Sequence, residues 1–477
     1  MSKLTRYEAI LLLLFVLTVP FSNPWVRGDG VGYYAFARSM LIEHHLDFTS
    51  DWENANSSFR MYRVDASGNV LPDQYTATGH IGNHFAIGPA ILWSPFLIVA
   101  HAGVIAWDRL GGHVAADGHS KPYLVAMAVG TTFYGFAALW ISFQLARQLV
   151  AERWAFLATV GIWFASSLPI YMYFNPSWSH AHSAFAVALF LWYWMRTRNG
   201  RTWSQWAILG LLGGLMMDVY YITAVVLLLP LLDSLAAYRA ALLGKPSEPA
   251  WHTFAKNALF AAVLFAAFSP TLIVKKIIYG SYFNMGYTEH WFWRSPAFFK
   301  VCFSSEHGLF TWTPILLLAV AGLVALRRYE PILALYLIIV FAAFVYALGC
   351  YQDWHGISSY GSRFFVALTS FFVLGLAALF DWLAREWQER RAAILSYGCV
   401  AALIVWNLGL MFQWGMHLIP DRGPISWKDA AYNEVAVVPS QAVHSVRNYF
   451  VGRRELMEHI EQRDVHGLKH DESPDTQ

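Results

Sequence analysis

Long apolar stretches separated by short polar segments dominate this chain. A helix needs about 20 apolar residues to cross the hydrocarbon layer, where its backbone hydrogen bonds are satisfied internally. The stretch 204–238 is too long for one span and has basic residues at both ends, so we predict two short helices there and roughly eleven spans overall. The predicted spans lie at 7–26, 122–147, 153–173, 181–196, 204–238, 254–275, 309–326, 331–349, 364–384 and 391–416.

One apolar segment, 85–107, is harder to interpret. Pro89 and Pro95 interrupt its helical hydrogen bonding. We therefore predict a juxtamembrane or re-entrant piece there, with an ordinary span as the alternative. The chain then divides into a transmembrane domain, 1–417, and a short polar tail, 418–477, with an amphipathic helix near 445–463.

The composition agrees with an all-α polytopic membrane protein. Of the 477 residues, 57% are hydrophobic and only 13% are charged, with a mean hydropathy of +0.40; soluble domains carry about 25% charged residues. Lys and Arg number 33 against 31 Asp and Glu, which argues against nucleic acid as a partner and leaves membrane lipids as the surroundings. Three cysteines exclude a disulfide framework, and free thiols are the preferred interpretation.

The basic residues predict the orientation, because loops rich in Lys and Arg stay in the cytoplasm. Placing these residues inside puts the N-terminus in the cytoplasm, as in a bacterial inner membrane protein. The polar loops 28–121, 174–181, 276–308 and 350–362 then face outward together with the tail. The basic residues concerned are Lys3, Arg6, Arg147, Arg153, Arg196, Arg198, Arg201, Arg327, Arg328, Arg385, Arg390 and Arg391.

The predicted outer loops collect most of the residues suited to chemistry. Asp29 comes directly after the first span, in the segment Arg27-Gly28-Asp29-Gly30. Polar residues placed against lipid usually face a cavity and have a use, and aromatic faces with hydrogen-bonding edges suit sugars. The other candidates in these loops are Tyr33, Tyr34, His84, His180, His182, His307, Trp354, His355 and Arg363.

The acidic motif after the first span and the pattern Trp354-His355-Gly356…Tyr360-Gly361-Ser362-Arg363 resemble the GT-C superfamily of integral-membrane glycosyltransferases. The similarity is to its protein O-mannosyltransferase and lipid A aminoarabinose transferase types, over most of residues 1–415. It implies a large first outer loop with juxtamembrane helices. It also implies inverting transfer of a hexosyl or pentosyl group from a polyprenyl-phosphate donor to a lipid, glycan or protein acceptor of the cell envelope.

The resemblance makes Asp29 the base that takes the proton of the acceptor hydroxyl. Arg363 is our choice for binding the donor phosphate, since a guanidinium binds phosphate bidentately and stays charged; His355 and His84 are weaker candidates. Tyr33, Tyr34, His180, His182, His307 and Trp354 are assigned to the substrate pocket.

A metal ion is not assigned from the sequence. Many relatives carry a second acidic residue in the second outer loop, where this chain offers Asn175, His180 and His182. No metal ligand and no cofactor therefore follow from the resemblance. A transition metal held by the two histidines and Asp29 stays an open alternative.

The candidate site residues also have simpler, structural interpretations. Asp29 is suited to be a helix N-cap, Arg363 an interfacial anchor, and His180 with His182 a structural pair. Asp218 is costly inside an apolar run, so it is either paired or part of an opening. Two alternatives to the glycosyltransferase interpretation remain for the whole chain. One is a transporter or flippase of lipid-linked sugars, and the other is an inactive scaffold.

Overall fold

The computed structural model describes residues 4–245 and 248–471, so Lys3 lies outside the described residues. Within these ranges the regular structure is helical, with three isolated β-bridges. The helices in chain order are α1 Arg6–Thr18, α2 Asp29–Arg38, α3 Thr49–Glu53, α4 Ser57–Arg60, α5 Gly88–Arg109, α6 Lys121–Ala146, α7 Glu152–Phe164, α8 His180–Thr197, α9 Trp203–Val219, α10 Leu228–Leu242, α11 Ala250–Tyr279, α12 Phe298–Phe303, α13 Leu309–Trp312, α14 Ile315–Ala325, α15 Pro331–Cys350, α16 Thr369–Glu386, α17 Glu389–Gly415, α18 Trp427–Ala436, α19 Val438–Val451 and α20 Arg453–Asp471.

The prediction of an all-α polytopic membrane protein is confirmed. In the described residues, seven helical segments are long and apolar enough to cross a membrane. They are α5, α6, α11, α15, α17 and two segments in which a 3-10 turn precedes an α-helix, Tyr221–Leu242 and Arg363–Glu386. The remaining predicted spans hold the shorter helices α1, α7, α8, α9 and α14, so the total of about eleven stays a prediction.

The long apolar run at 204–238 divides into two helical segments, as predicted. Helix α9 ends at Val219, Tyr220 is extended, and a 3-10 turn over Tyr221–Leu227 leads into α10. Helix α9 packs along α11, where the Thr271 hydroxyl donates a 2.6 Å hydrogen bond to the Asp218 carboxylate. Asp218 is therefore a buried and paired residue, which is the first of its two sequence interpretations.

The expectation that prolines break the segment 85–107 is wrong. Helix α5 runs unbroken through Pro89 and Pro95. Pro89 lies in the first turn, where its missing N–H would have no partner inside the helix anyway. The helix lies beside the N-terminal half of α6, since the Trp93 indole donates to the Thr131 hydroxyl at 2.8 Å and His101 contacts the Tyr123 hydroxyl at 2.6 Å.

The two ends of the helix bundle differ in chemistry. One end carries ion pairs of the basic residues predicted to face the cytoplasm, such as Arg147 with Glu8 at 2.7 Å and Arg198 with Glu330 at 2.6 Å. The opposite end carries Asp29 and the loops predicted to face outward, and we call it the Asp29 end. The two sets of polar residues therefore lie at different ends of the bundle, and which end faces the cytoplasm stays a prediction.

The polar tail folds onto the Asp29 end. Helices α18, α19 and α20 make up most of it, and the helix predicted near 445–463 is broken at Gly452, between α19 and α20. The Arg453 guanidinium donates to the Ser22 carbonyl, and the Asn56 amide donates to the Glu461 carboxylate. The sequence analysis missed the break and predicted one continuous helix across Gly452.

We predict that Gly88 is required for the packing of α5 on α9. A Cβ atom at Gly88 would lie 2.4 Å from the backbone nitrogen of Val219, whereas one at Gly103 on the same helix meets nothing within 4 Å. Gly88→Ala should cost about 1–3 kcal/mol by overpacking, and Gly103→Ala should be neutral or stabilising by up to about 1 kcal/mol. Thermal unfolding in detergent measures both; equal unfolding temperatures for the two variants would contradict the prediction.

Candidate functional site

Glycines in the first loop let two polar segments come into close contact. Gly28 has φ +53°, which side chains rarely adopt, and a Cβ there would lie 3.1 Å from the Trp178 ring. A Cβ at Gly30 would overlap the Ser177 hydroxyl at 1.9 Å. The Trp178 indole in turn donates to the Arg27 carbonyl at 3.0 Å. The first and second predicted outer loops are therefore fitted to each other around Asp29.

The central feature of the site is an ion pair between Asp29 and Arg363. Their carboxylate and guanidinium approach to 2.8 Å, although the residues belong to the first and fourth predicted outer loops. The side chain of Asp29 is 32% exposed and that of Arg363 is 12% exposed, so the carboxylate is the more accessible partner. Asp29 makes no capping bond, because Gly28 is the N-cap of α2. The pure capping interpretation therefore does not describe this side chain.

Arg363 is held in an aromatic cage rather than in a lipid-facing position. Its guanidinium carbon lies 4.6 Å from the Trp178 ring and 5.6 Å from the Phe364 ring. Such cation–π contacts hold a guanidinium in place without using up all of its N–H donors. The anchor interpretation of Arg363 does not fit these contacts, since the side chain points into the protein and not along its surface.

A second arginine, Arg63, faces the same site and was not singled out from the sequence. Burial lowers the pKa of Arg63, and the negative charge of Asp29 opposes that shift. Its guanidinium donates to the Phe59 carbonyl at 2.9 Å and lies over the Phe59 ring. No carboxylate of the described residues lies within ion-pairing distance of Arg63. A half-buried guanidinium with a ring and one carbonyl as partners is suited to receive an anion.

Tyrosines form a wall beside the ion pair. Tyr33 is buried and its ring lies 4.8 Å from Phe85; burial and the charge of Asp29 both raise the pKa of Tyr33, so it remains a hydrogen-bond donor. Tyr220 stacks on Phe364, and Tyr351 meets the same ring edge-on. The sequence analysis missed Tyr220 and Tyr351 because each directly follows an apolar helix that was interpreted only as a membrane span.

His84 lies in a second aromatic group at the site. Its ring contacts Tyr287 at 5.0 Å, and Tyr287 contacts Tyr221 at 6.2 Å. The Lys275 ammonium fixes the backbone on both sides of His84 by donating to the carbonyls of Asn83 and Phe85 at 2.7 and 3.0 Å. Burial lowers the pKa of His84 to about 4. In the site without a bound anion, this ring is therefore uncharged at neutral pH.

The two histidines of the second loop are buried in different surroundings. His180 packs between Tyr171 and Tyr220, at 4.6 and 5.2 Å, on the side of Arg363. His182 packs against Trp93 at 4.9 Å. The two rings and Asp29 do not form a metal-ligand group among the described residues. His180 therefore belongs to the site, and His182 to the packing behind it.

His307, Trp354 and His355 join the third loop to the fourth. The His307 ring contacts the His355 carbonyl through Nδ1 at 2.8 Å, and burial lowers the pKa of His307 to about 4. The His355 ring lies 3.5 Å from the Glu306 carboxylate and 5.5 Å from the Trp354 ring. These three residues shape the loop that carries Arg363.

Tyr34 is separated from the other candidates. Its hydroxyl donates to the Gly118 carbonyl at 2.7 Å, and its ring lies against Trp93. On the helix α2, Tyr34 is one residue past Tyr33 and so points to a different side. Its structural role is to hold the end of the first loop.

Several buried polar atoms near the ion pair have no hydrogen-bond partner among the described protein atoms. They are Oγ of Ser179, Nδ1 of His180, Nε2 of His307 and Nε of Arg363. Buried polar groups in proteins are nearly always satisfied, so a cluster of unsatisfied ones marks a place for a polar ligand. The atoms include several suited to donate to an anion or a sugar hydroxyl.

Comparisons with known proteins add little to this geometry. No protein-family model matches the chain, and no curated protein sequence matches it. Two solved structures of ArnT from Cupriavidus metallidurans are similar over 86% of this chain and 71% of theirs. The structure in the apo state has 14% identity and a TM-score of 0.47, and the one bound to undecaprenyl phosphate has 12% and 0.46. Similarity at this level establishes no activity, so the site itself has to support a function.

We predict that folding stability falls as the pH falls from about 6.5 to 4. His84 and His307 have pKa values near 4 in the folded chain and about 6.5 when unfolded, so the unfolded state binds more protons in that window and gains from acidification. His84→Gln should flatten this loss, whereas the exposed control His113→Gln should not. Thermal unfolding measured across this pH range tests it; an unchanged slope in His84→Gln would disprove the role of His84.

Proposed function

We propose that the protein is an inverting glycosyltransferase that moves a sugar from a polyprenyl-phosphate donor to an acceptor on the outer side of the membrane. The observation that carries the proposal is the accessible Asp29 carboxylate paired with the caged Arg363 guanidinium at one end of a membrane bundle. Sugar transfer from a phosphate needs a base that takes the proton of the acceptor and a cation that stabilises the leaving phosphate, and these two groups lie side by side here.

In the proposed reaction, Asp29 accepts the proton of the acceptor hydroxyl as its oxygen attacks the anomeric carbon of the sugar. The new glycosidic bond forms while the bond from that carbon to the phosphate oxygen breaks. The electron pair of the broken bond stays on the phosphate, whose charge grows. A fixed cation near that oxygen stabilises the transition state.

In this proposal, binding of the donor frees the base from its ion pair. Before the donor binds, Arg363 and Asp29 neutralise each other at 2.8 Å. A donor phosphate that binds the guanidinium competes with the carboxylate for it. Asp29 is then released to accept a proton when the leaving group is in place, which couples the base to the presence of its donor.

Arg63 extends the phosphate site in this proposal. Its positive charge acts on both Asp29 and His84, so it lies near them in the first loop. Two arginines from different loops neutralise a phosphate better than one and fix its orientation. The tyrosine wall and His180 then remain for the sugar, which offers apolar ring faces and hydroxyl groups.

The transporter alternative loses its main sequence support. A transporter is expected to place ionisable residues near the bilayer midplane in both halves. Asp218 was the chief candidate, and its carboxylate accepts a hydrogen bond from Thr271. Asp218 comes two residues before Tyr220, whose ring stacks on Phe364 beside Arg363. It therefore belongs to the Asp29 end, which favours a site at one face.

We predict that Asp29→Asn lowers sugar transfer by at least about 100-fold, the usual effect of removing a general base. Asn keeps the size of the side chain and a hydrogen bond to Arg363, so folding should be preserved. The exposed first-loop variant Asp73→Asn is the matched control and should transfer like wild type. The assay uses purified protein in nanodiscs with a panel of radiolabelled polyprenyl-phosphate sugars. Equal transfer by wild type and Asp29→Asn would remove Asp29 from the chemistry.

We predict that Arg363→Gln and Arg63→Gln each weaken binding of a polyprenyl phosphate about tenfold or more. A hydrogen bond to a charged group contributes about 1.5–3 kcal/mol, and 1.4 kcal/mol is a factor of ten in affinity. Asp29→Asn should bind this phosphate at least as well as wild type, since it removes the competing carboxylate.

The control for these arginines is Arg109→Gln, an exposed residue at the end of α5. Titration of nanodisc-embedded protein with a polyprenyl phosphate gives the affinities without knowledge of the sugar. Unchanged affinity in Arg63→Gln would separate Arg63 from the phosphate site. Unchanged affinity in both arginine variants would overturn the donor site as a whole.

A further inference from the structure

A second polar group lies at the Asp29 end, on the C-terminal helices. It consists of His417, Asp421 and Asp464, which we call the C-terminal cluster. The three residues line a cavity of about 680 Å³ that is bounded by the ends of α1 and α17 and by α19 and α20. Neither the ion pair of Asp29 nor the tyrosine wall includes them.

The ligand atoms of the C-terminal cluster are spaced for one metal ion. Nε2 of His417 lies 2.9 Å from Oδ1 of Asp464, and one ligand atom from each of the three residues lies within 4.8 Å of the others. Metal–nitrogen and metal–oxygen bonds to such ligands are about 2.0–2.2 Å. Two ligands on neighbouring corners of a coordination sphere are then about 3 Å apart. An imidazole with two carboxylates suits a divalent transition metal such as zinc or manganese.

Neighbouring side chains hold the two carboxylates in orientation. The Arg27 guanidinium pairs with the second oxygen of Asp464, and the Ser358 hydroxyl donates to Asp421 at 2.9 Å. Ligating carboxylates in metal sites are commonly hydrogen-bonded in this way by a surrounding layer of residues. Asp464 is nine-tenths buried, at 10% side-chain exposure.

The C-terminal cluster brings two carboxylates and one imidazole close together. Asp464 pairs with Arg27 and contacts His417, and Asp421 accepts a hydrogen bond from Ser358. Close carboxylates repel each other unless a positive charge lies between them. A bound divalent ion would supply that charge and fix the orientation of the imidazole.

We propose that His417, Asp421 and Asp464 bind one divalent transition-metal ion, which fastens the C-terminal helices to the Asp29 end. His417 and Asp421 lie in the loop between α17 and α18, and Asp464 is on α20, so one ion joins two separate parts of the chain. Through Arg27 and Ser358 the ion also steadies the segments that precede Asp29 and Arg363. The proposal concerns structure and does not depend on the reaction proposed above.

The test is metal analysis of the purified full-length protein after equilibration with zinc or manganese and removal of the free metal. Wild type should retain about one equivalent. His417→Ala should lose it, and so should Asp421→Asn, whose amide oxygen still accepts the Ser358 hydrogen bond but is a weaker ligand than a carboxylate. The exposed histidine variant His459→Ala, on the same helix as Asp464, should retain the metal.

A second measurement separates metal loss from misfolding. Added metal should raise the unfolding temperature of wild type and His459→Ala by a few degrees, because an ion that binds only the folded state stabilises it, and should leave Asp421→Asn unchanged. The proposal is overturned if wild type retains no metal above background, or if His417→Ala and Asp421→Asn retain as much as wild type. Sugar transfer is not needed for either readout, so failure here and failure of the proposed function are distinguishable.

Discussion

The ion pair between Asp29 and Arg363 is the contact on which the Asp29 end depends. It joins two loops more than 300 residues apart in sequence and leaves the Asp29 carboxylate more exposed than the Arg363 guanidinium. Deleting either side chain would leave the other without its partner, whereas Asp29→Asn keeps an oxygen that accepts a hydrogen bond from Arg363. The aromatic cage around Arg363 and the glycines around Asp29 are therefore arranged to keep the two together.

Close backbone approach is the second constraint on this architecture. Gly28 and Gly30 bring the first loop onto Trp178 and Ser177, and Gly88 brings α5 onto α9. Small residues at helix contacts allow this in membrane proteins, where packing and hydrogen bonds must replace the hydrophobic effect between helices. The hydrogen bond between Thr271 and Asp218 follows the same principle, since a buried carboxylate in this environment needs a donor.

The chemistry at the Asp29 end is built in layers with different tasks. Asp29, Arg363 and Arg63 supply charge, while tyrosines and neutral histidines supply hydrogen bonds without adding to it. Lys275 and the chain of contacts from His307 to Trp354 hold the loops in position. The tail helices close the structure on one side. A site of this kind, polar and facing one end of an apolar bundle, suits a reaction between a lipid-borne and a second substrate.

The sequence by itself determined the all-helical membrane architecture, and it named Asp29 and Arg363 as candidates whose roles stay predictions. Hydropathy and the distribution of arginines are local properties, so they can be read from the chain alone. Tertiary structure decided what spacing does not encode. It paired Asp29 with Arg363, brought in Arg63, Tyr220 and Tyr351, and separated Tyr34 and His182 from the site. It also kept α5 continuous through its prolines and gathered His417, Asp421 and Asp464, because contacts between distant segments depend on how the helices pack.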